Sequence, residues 1–184
     1  MLRLQRDDQS ALDELLKRHW QRLTAYAEKI LGARDSAEDV VQAVFIRAWN
    51  HRARWTGSGS VRAYLYRIAR NLALDERKSR RVRAAWLRPG AAPDQTAARA
   101  ADAAVEDNEL ATAMTRAIDA LPERRREVFV LARLHDLSYQ QVADVMGISR
   151  QTVANQMGAA LADLRHALEP FYEGARRQAN RGRP

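Results

Sequence analysis

The stretch of this chain with the most chemical information is a pair of predicted helices spanning residues 138 to 168. Ser138 is placed to cap the first helix, and Gly147 supplies the positive φ that a sharp reversal needs. Ser149 then caps a second helix, which has an apolar stripe at helical spacing. This stripe comprises Val153, Met157, Ala160, Leu161, Leu164 and Leu168. Two helices joined by such a turn form a helix-turn-helix unit.

The opposite face of the second helix carries side chains that can hydrogen-bond to base edges or phosphates. They are Arg150, Gln151, Thr152, Asn155 and Gln156. From within a major groove, arginine and amide side chains bind base edges and phosphates. The alternative is a helical hairpin with a polar, solvated face. Because cap, glycine turn, second cap and polar-fronted helix follow in order, the DNA-reading interpretation is favoured.

Composition narrows the class of protein further. A chain of 184 residues with 46% hydrophobic content forms one medium domain or two small ones. Its formal charge of +8, in which arginine dominates, predicts attraction to a polyanion that weakens as salt rises. The absence of cysteine excludes disulfides and thiolate metal sites and favours a reducing cytoplasm. No apolar run approaches the ~20 residues of a membrane span, so we predict a cytoplasmic protein without membrane insertion.

Three amphipathic helices are predicted in residues 1–86. The first ends near Gly32, and Asp35 or Ser36 caps the second, whose apolar stripe runs through residues 37–49. After a small-residue loop at 54–60, Ser60 caps a third helix. The side chains predicted to face inward from the third helix are Val61, Tyr64, Leu65, Ile68 and Leu72. These helices form a compact bundle with one basic wall.

The composition changes abruptly at residues 87–108, where proline, glycine, alanine and acidic residues replace a basic run. We interpret this segment as a flexible linker to a second domain at 109–170. Four helices are predicted there, and Pro122 separates the first from a helix over about 123–134. Pro170 is predicted to end the last helix, before a disordered basic tail at 171–184. The predicted fold is all-α, with two small helical domains and a winged-helix-like four-helix domain at the C-terminus.

Four blocks occur in a distinctive order along the chain. They are Ala-Glu-Asp-Val-Val-Gln-Ala-Val-Phe-Ile-Arg-Ala-Trp at 37–49, Tyr-Leu-Tyr-Arg-Ile-Ala-Arg-Asn-Leu-Ala-Leu-Asp at 64–75, Ala-Leu-Pro-Glu-Arg-Arg-Arg-Glu-Val-Phe at 120–129, and the helix-turn-helix. Together they resemble an extracytoplasmic-function (group IV) sigma factor of the sigma-70 family. The resemblance extends from about Leu4 to Leu168. It implies a sigma region 2 at 1–86 and a sigma region 4 at 109–170.

The resemblance assigns the first block to binding of core RNA polymerase. We expect most of its apolar side chains, Val40, Val44, Phe45 and Trp49, to belong to the core of the bundle. The polymerase-binding residues predicted from the resemblance are therefore Asp39, Gln42 and Arg47.

The second block and the preceding loop resemble the element that reads and opens the −10 region of a promoter. A Gly/Ser loop is suited to enclosing a flipped base, while Arg and aromatic side chains neutralise phosphate or stack on bases. The residues that the resemblance implies here are Trp55, Thr56, Ser58, Ser60, Arg67, Arg70 and Asn71. For Trp55, base stacking and packing back onto the bundle are equally open.

The C-terminal unit resembles the reader of the −35 element. Many family members carry Lys and Arg after the Thr-Val pair, whereas this chain has Ala154 and Gln156 with Asn155 between them. The change favours amide readout, including adenine recognition by Asn155 or Gln156. The three arginines at 124–126 either supply the phosphate-binding charge that the second helix lacks or form a solvated helix start. The acidic linker either threads through the polymerase or is a plain spacer.

The leading hypothesis is therefore a sigma factor whose partners are core polymerase and promoter DNA, with an anti-sigma protein as a further partner that the resemblance allows. The alternative is a free-standing helix-turn-helix regulator that binds duplex DNA without polymerase. An enzyme is the weakest hypothesis because the four histidines have no ligand spacing and no Gly-rich phosphate loop occurs. We predict no catalytic residue, metal site or cofactor.

Overall fold

A computed structural model of the chain describes residues 3–55, 59–87 and 109–181, with side chains as far as residue 171. Its seven α-helices in these ranges form two units, α1 to α3 and α4 to α7. They are α1 (Gln9–Leu31), α2 (Arg34–Asn50), α3 (Val61–Leu87), α4 (Glu109–Ala120), α5 (Glu123–Phe129), α6 (Tyr139–Met146) and α7 (Arg150–Arg181). The described ranges contain no β-strand, and the predicted all-α fold of two helical domains is confirmed.

The three N-terminal helices pack around a single core. Tyr26 of α1 and Tyr66 of α3 are fully buried, with their ring centroids 5.3 Å apart. The buried face of α3 centres on Tyr66, Ala69 and Ala73, whereas the predicted Tyr64 is only half-buried. Alanines at the centre let α3 approach its neighbours closely. A short 3-10 helix, Leu4–Arg6, precedes α1 and buries Leu4 completely, an element that the sequence did not predict.

The ends of α1 and α2 test two predictions about helix boundaries. Gly32 ends α1 with φ 70°, and its N–H donates to the Glu28 carbonyl, as predicted. The predicted cap of α2 is wrong, because Ala33 occupies that position and provides no side-chain hydrogen bond. Asp35 lies instead in the first turn, where its charge favours the helix dipole. The hydroxyl of Ser36 accepts a hydrogen bond from Arg80 of α3.

The C-terminal unit has the four predicted helices. Pro122 immediately precedes α5, and a π-helical segment, Val130–Leu134, continues α5 to the predicted end point. Arg125 of α5 forms an ion pair with Asp163 of α7 at 2.7 Å. The fully or almost fully buried side chains of this unit include Val128, Leu131, Val142, Val145, Val153 and Met157.

The last helix does not end at Pro170, so that prediction is wrong. The helix α7 continues through Pro170 to Arg181, so residues 171–181 are helical rather than a disordered tail. Proline removes one backbone donor and disfavours the interior of a helix. Here the sequence beyond it, which is rich in Ala, Arg, Gln and Glu, has the composition of a helix. The predicted linker at 87–108 lies outside the described residues except for Leu87.

A membrane span would require a helix that is both long and apolar. None of the helices in the described ranges meets both requirements.

Candidate nucleic-acid and partner-binding surfaces

The helix-turn-helix unit is fixed by local hydrogen bonds at each of its three junctions. The Gln141 backbone N–H donates to the Ser138 hydroxyl at 3.2 Å, and the Ser138 N–H donates to the Gln141 side chain at 2.9 Å. This reciprocal pair is a capping box, and it begins α6 at Tyr139. Gly147 ends α6 with φ 67°. Open space surrounds its missing Cβ, so the backbone conformation, not crowding, requires glycine here.

The start of α7 is capped as the sequence predicts. The Thr152 N–H donates to the Ser149 hydroxyl at 3.0 Å, and the two hydroxyl oxygens lie 2.8 Å apart. The backbone N–H and the hydroxyl of Thr152 therefore both take part in the cap. Arg150, the first residue of α7, is exposed. Arg150 therefore belongs to the positive end of the helix, where an anionic phosphate binds favourably.

The five predicted DNA-reading residues do not all share one side of α7. Gln151 and Asn155 are exposed one turn apart, and the Gln151 amide nitrogen donates to the Asn155 amide oxygen at 3.0 Å. Gln156 is half-buried and lies about 140° round the helix from Gln151. The structure thus brings Gln151 and Asn155 together and places Gln156 toward the flank of this face.

The three arginines at 124–126 have different environments. Arg125 is paired with Asp163, and the Arg126 guanidinium donates to the Leu121 carbonyl at 3.0 and 3.3 Å. Both therefore stabilise the C-terminal unit. Arg124 is exposed and is the one of the three best placed to bind a phosphate.

In the N-terminal unit, an open cleft of about 960 Å³ lies between α1 and the start of α3. The loop contributes Trp55, Gly59 and Ser60 to its walls. Helix α1 and its neighbours contribute several cations to the same cleft, and two of them pair with Glu14, the one acidic residue among the described side chains that line it. These cations are Arg3, Arg18, Arg22 and Arg62. A cleft so lined attracts the phosphates of a nucleic-acid strand.

The sequence left two roles open for Trp55, base stacking and packing against the bundle, and its position is compatible with both. Its half-buried ring packs edge-on against Tyr64 of α3, with the centroids 5.2 Å apart. The Trp55 carbonyl accepts a hydrogen bond from the side chain of Gln5. The ring is thus held against the bundle, and Trp55 nevertheless lines the cleft.

The remaining predicted −10 residues divide between the loop and α3. Thr56 and Ser58 lie outside the described residues. The Ser60 hydroxyl accepts the Ala63 N–H at 3.3 Å, which confirms its role at the start of α3. The residues on α3 lie within two turns, where Arg67 and Asn71 are exposed and Arg70 is half-buried. The Arg67 guanidinium lies 5.9 Å from the centre of the Tyr64 ring, within reach of a cation–π contact.

His19 of α1 is a residue of the cleft that the sequence interpretation did not identify. Burial lowers the pKa of His19 below its ordinary value of 6.5, and the nearby Arg62, Arg18 and Arg22 lower it further. The imidazole is consequently neutral at pH 7. The available signal was the recurrence of Arg18 and Arg22 at i and i+4 on the polar face of α1. The sequence alone does not show that the polar face of α1 and the loop at 54–60 line the same cleft.

A second depression, an apolar groove of about 520 Å³, lies between α1 and α2. Gln42, Ile46 and Trp49 of α2 line it opposite Leu16 and Trp20 of α1. Ile46 is 54% exposed, which is unusual for an isoleucine in the middle of a helix. An exposed apolar groove with a polar rim is typical of a protein-binding surface.

The predicted polymerase-binding residues are distributed around α2. Asp39 and Gln42 are exposed and lie on the same side as Ile46. Arg47 is also exposed but lies about 140° round the helix from Gln42. The prediction that most apolar residues of this block are core is confirmed for Val40, Val44 and Phe45, which are buried. Trp49 is half-buried.

The described residues contain no group of three or more His, Cys, Asp or Glu side chains that could hold a metal ion. The described residues thus form a helical protein of two units, one with a helix-turn-helix and the other with a cationic cleft and a separate apolar groove. Residues 15–83 match the family described as Sigma-70 region 2, and residues 111–164 match Sigma-70, region 4.

Curated relatives agree with these matches. The chain is 30% identical over 169 residues to the ECF RNA polymerase sigma factor SigE of Mycolicibacterium smegmatis, covering 88% of this chain and 64% of SigE. It is 31% identical over 150 residues to SigL of Mycobacterium tuberculosis, covering 80% of this chain and 82% of SigL. The chain thus spans a little less than two thirds of SigE. It belongs to the sigma-70 family and, within it, to the ECF sigma factors.

Solved structures show the same fold. CnrH, in complex with the cytosolic domain of CnrY, is 24% identical with a TM-score of 0.65, covering 92% of this chain and 94% of CnrH. The sigma factor RpoE of Bartonella quintana, in complex with the anti-sigma factor NepR, is 23% identical with a TM-score of 0.65. That match covers 85% of this chain and 96% of RpoE.

Proposed function

We propose that this chain is a dissociable specificity subunit of RNA polymerase, which directs initiation at promoters by binding the core enzyme and recognising −10 and −35 elements. The observation that carries the proposal is the combination, in one sigma-family chain, of a helix-turn-helix with an exposed polar face and a bundle with a cationic cleft and an apolar groove. Such a protein works by binding and is not an enzyme. Its place of action is the cytoplasm, where polymerase and DNA are found.

The −35 element is read as duplex DNA by the start of α7. Arg150 and the linked amides of Gln151 and Asn155 contact base edges, each good contact contributing about 1–3 kcal/mol of discrimination. Thr152 and Gln156 lie at the flanks and contact the backbone. Support comes from the exposure of the first three side chains and from the rigid cap that orients them.

The −10 element is read and opened at the cleft of the N-terminal unit. Trp55 stacks on an unpaired base while the loop residues Thr56, Ser58 and Ser60 surround it. On α3 the strand is held through phosphate and base contacts of Arg67, Arg70 and Asn71. Support comes from the cleft itself, whose lining includes Trp55, Ser60 and four arginines.

Core polymerase docks on α2. An apolar side chain of the polymerase enters the groove over Ile46, and Asp39 and Gln42 form its polar rim. Arg47, on the adjoining side of α2, contacts the partner only at its edge. Regulation by an anti-sigma protein is also proposed, because RpoE of Bartonella quintana, which shares this fold, is bound by one.

The proposed domain limits are sigma region 2 at 1–86, a linker at 87–108 and sigma region 4 at 109–170. The family matches at 15–83 and 111–164 support these limits. A linker of this kind lets one polymerase-bound chain reach two separated promoter elements.

The alternative, a free-standing regulator, differs in one measurable property. Titration of promoter duplex with this chain, with and without core polymerase, separates the two functions. A sigma factor gives specific binding only in the presence of core, whereas a free regulator gives the same specific binding in both titrations.

A further inference from the structure

The C-terminal end of α3 is exposed on every side. All seven residues from 81 to 87 are exposed, including Val82 at 48% and Trp86 at 81%. Trp86 is among the most hydrophobic side chains in the chain, and its exposure leaves a large aromatic surface in water. Val82 and Trp86 lie one turn apart, so their side chains form a continuous apolar strip.

The helix is attached to the bundle up to Arg80. The Arg80 guanidinium donates to Glu76 at 2.8 Å and to the hydroxyl of Ser36 in α2. Arg83 also binds Glu76, at 3.1 Å. The contact with Ser36 attaches α3 to α2 close to the point where the helix leaves the bundle.

The last three turns of α3, which include the projecting turns, are strongly basic. Five of the residues from 77 to 87 are Lys or Arg, and none is acidic. Lys78 and Arg81 are exposed and form no ion pair within the ranges that the structure describes. A surface with this charge is complementary to nucleic-acid phosphates rather than to a basic or neutral protein.

Two basic residues of this segment lie on the same side of α3 as Arg67 and Arg70, which are proposed to contact the −10 element. Lys78 follows Arg67 by eleven residues, and Arg81 follows Arg70 by the same interval. Eleven residues are about three helical turns, so both pairs lie on one side of α3. Val82 and Trp86 follow Lys78 at i+4 and i+8 along the edge of this side. The apolar strip therefore borders a side of α3 that carries four cations, with Asn71 and Leu74 between the two pairs and the exposed Asp75 at the edge.

Resting on the proposed function, we infer that the projecting end of α3 is a second DNA-contact surface, specific to duplex DNA upstream of the opened −10 segment. Lys78 and Arg81 bind phosphates, and Trp86 with Val82 packs against sugars at the groove edge. Asn71 and Trp86 are separated by about 22 Å of helix, which corresponds to roughly six or seven base pairs. The contact accordingly falls in the spacer between the two promoter elements.

The test compares holoenzymes binding a labelled promoter fragment over a range of salt concentrations. The Lys78→Ala/Arg81→Ala variant should reduce the slope of log K against log salt by about 2, because each phosphate contact contributes about 0.9. Arg83→Ala, a matched control on the other side of α3, should leave the slope unchanged. Trp86→Ala should weaken binding by about tenfold, as expected for loss of most of its buried area.

A second fragment, whose duplex ends at the upstream edge of the −10 element, locates the contact. On this fragment the variants should bind as the wild type does. Unchanged slope and affinity on the long fragment would overturn the inference, as would equal losses on both fragments. A loss of core-polymerase affinity instead of DNA affinity would assign the surface to a protein partner, and tighter DNA binding by Trp86→Ala would assign it to the acidic linker. Failure of the wild-type chain to form holoenzyme would refute the proposed function itself.

Discussion

The side-chain amide of Gln151 donates a hydrogen bond to the amide oxygen of Asn155, one turn further along the exposed face of α7. The bond fixes both side chains before DNA arrives and so reduces the entropy lost on binding. The bond uses neither the Gln151 carbonyl oxygen nor the Asn155 amide nitrogen, which remain as the acceptor and the donor of the pair. We therefore expect the two residues to act in DNA recognition as one unit rather than as two independent contacts.

We predict that Gln151→Ala and Asn155→Ala each weaken −35 binding by about 1–3 kcal/mol. The double variant should lose less than the sum of the two, with a coupling of at least about 0.5 kcal/mol, because each single change already disorders the remaining amide. The measurement is a double-mutant cycle of holoenzyme affinity for promoter duplex. Arg165→Ala, an exposed change further along α7, serves as the control. Strictly additive losses would show that the two amides act separately.

The two glycines of the helix-turn-helix unit should respond to alanine in opposite directions. Gly147 has a positive φ, so Gly147→Ala should destabilise the C-terminal unit by about 1–2 kcal/mol. Gly158 lies inside α7 with open space at its missing Cβ, so Gly158→Ala should stabilise it by about 0.5–1 kcal/mol. The four tryptophans all lie at or before residue 86. Hydrogen exchange of α6 and α7 amides is therefore the appropriate measurement, and destabilisation by both changes would contradict the assignment.

Local signals in the sequence were sufficient to predict the helix ends of the helix-turn-helix unit. Ser138, Gly147 and Ser149 determine helix ends through bonds to residues within four positions, and such bonds depend little on the rest of the fold. Periodicity likewise identified the apolar face of α2, of which Val40, Val44 and Phe45 are buried. In contrast, proline usually ends a helix, yet α7 continues through Pro170 to Arg181.

The cleft of the N-terminal unit could not be predicted in the same way. It is assembled from the N-terminal segment with α1, the loop after α2 and the start of α3, and its members are separated by up to about sixty residues. Ser36 illustrates the same limit, since a residue type suited to capping α2 binds Arg80 of α3 instead. Long-range contacts of this kind follow from the packing of helices and leave no pattern in a single helix.

His19 should make the stability of the N-terminal unit depend on pH. The folded-state pKa of His19 is lowered by burial and by the arginines of the cleft. The stability it contributes is thus present above the unfolded-state pKa of 6.5 and lost as the pH falls below that value. His19→Gln should therefore reduce the difference in urea midpoint between pH 7.5 and 5.5, followed by tryptophan fluorescence. The exposed His51→Gln variant is the control, and an equal reduction in both variants would contradict this role.

The apolar groove between α1 and α2 gives a prediction about polymerase binding. Ile46→Glu should weaken core-polymerase binding by at least tenfold, because burial of an isoleucine contributes about 1.5–3 kcal/mol. The protein should still fold, since Ile46 is already 54% exposed. Ala25→Glu places the same charge on an exposed position of α1 away from the groove and should bind normally. Equal effects of the two changes would indicate a general electrostatic response instead of docking in the groove.

The most direct test of the central claim is run-off transcription by core polymerase on a library of genomic promoter fragments. We expect discrete transcripts from a subset of fragments when the chain is added, and none from core polymerase or the chain alone. The selected fragments should share two sequence elements separated by a constant spacer. Specific binding of fragments by the chain alone, with no transcript when core polymerase is present, would contradict the account.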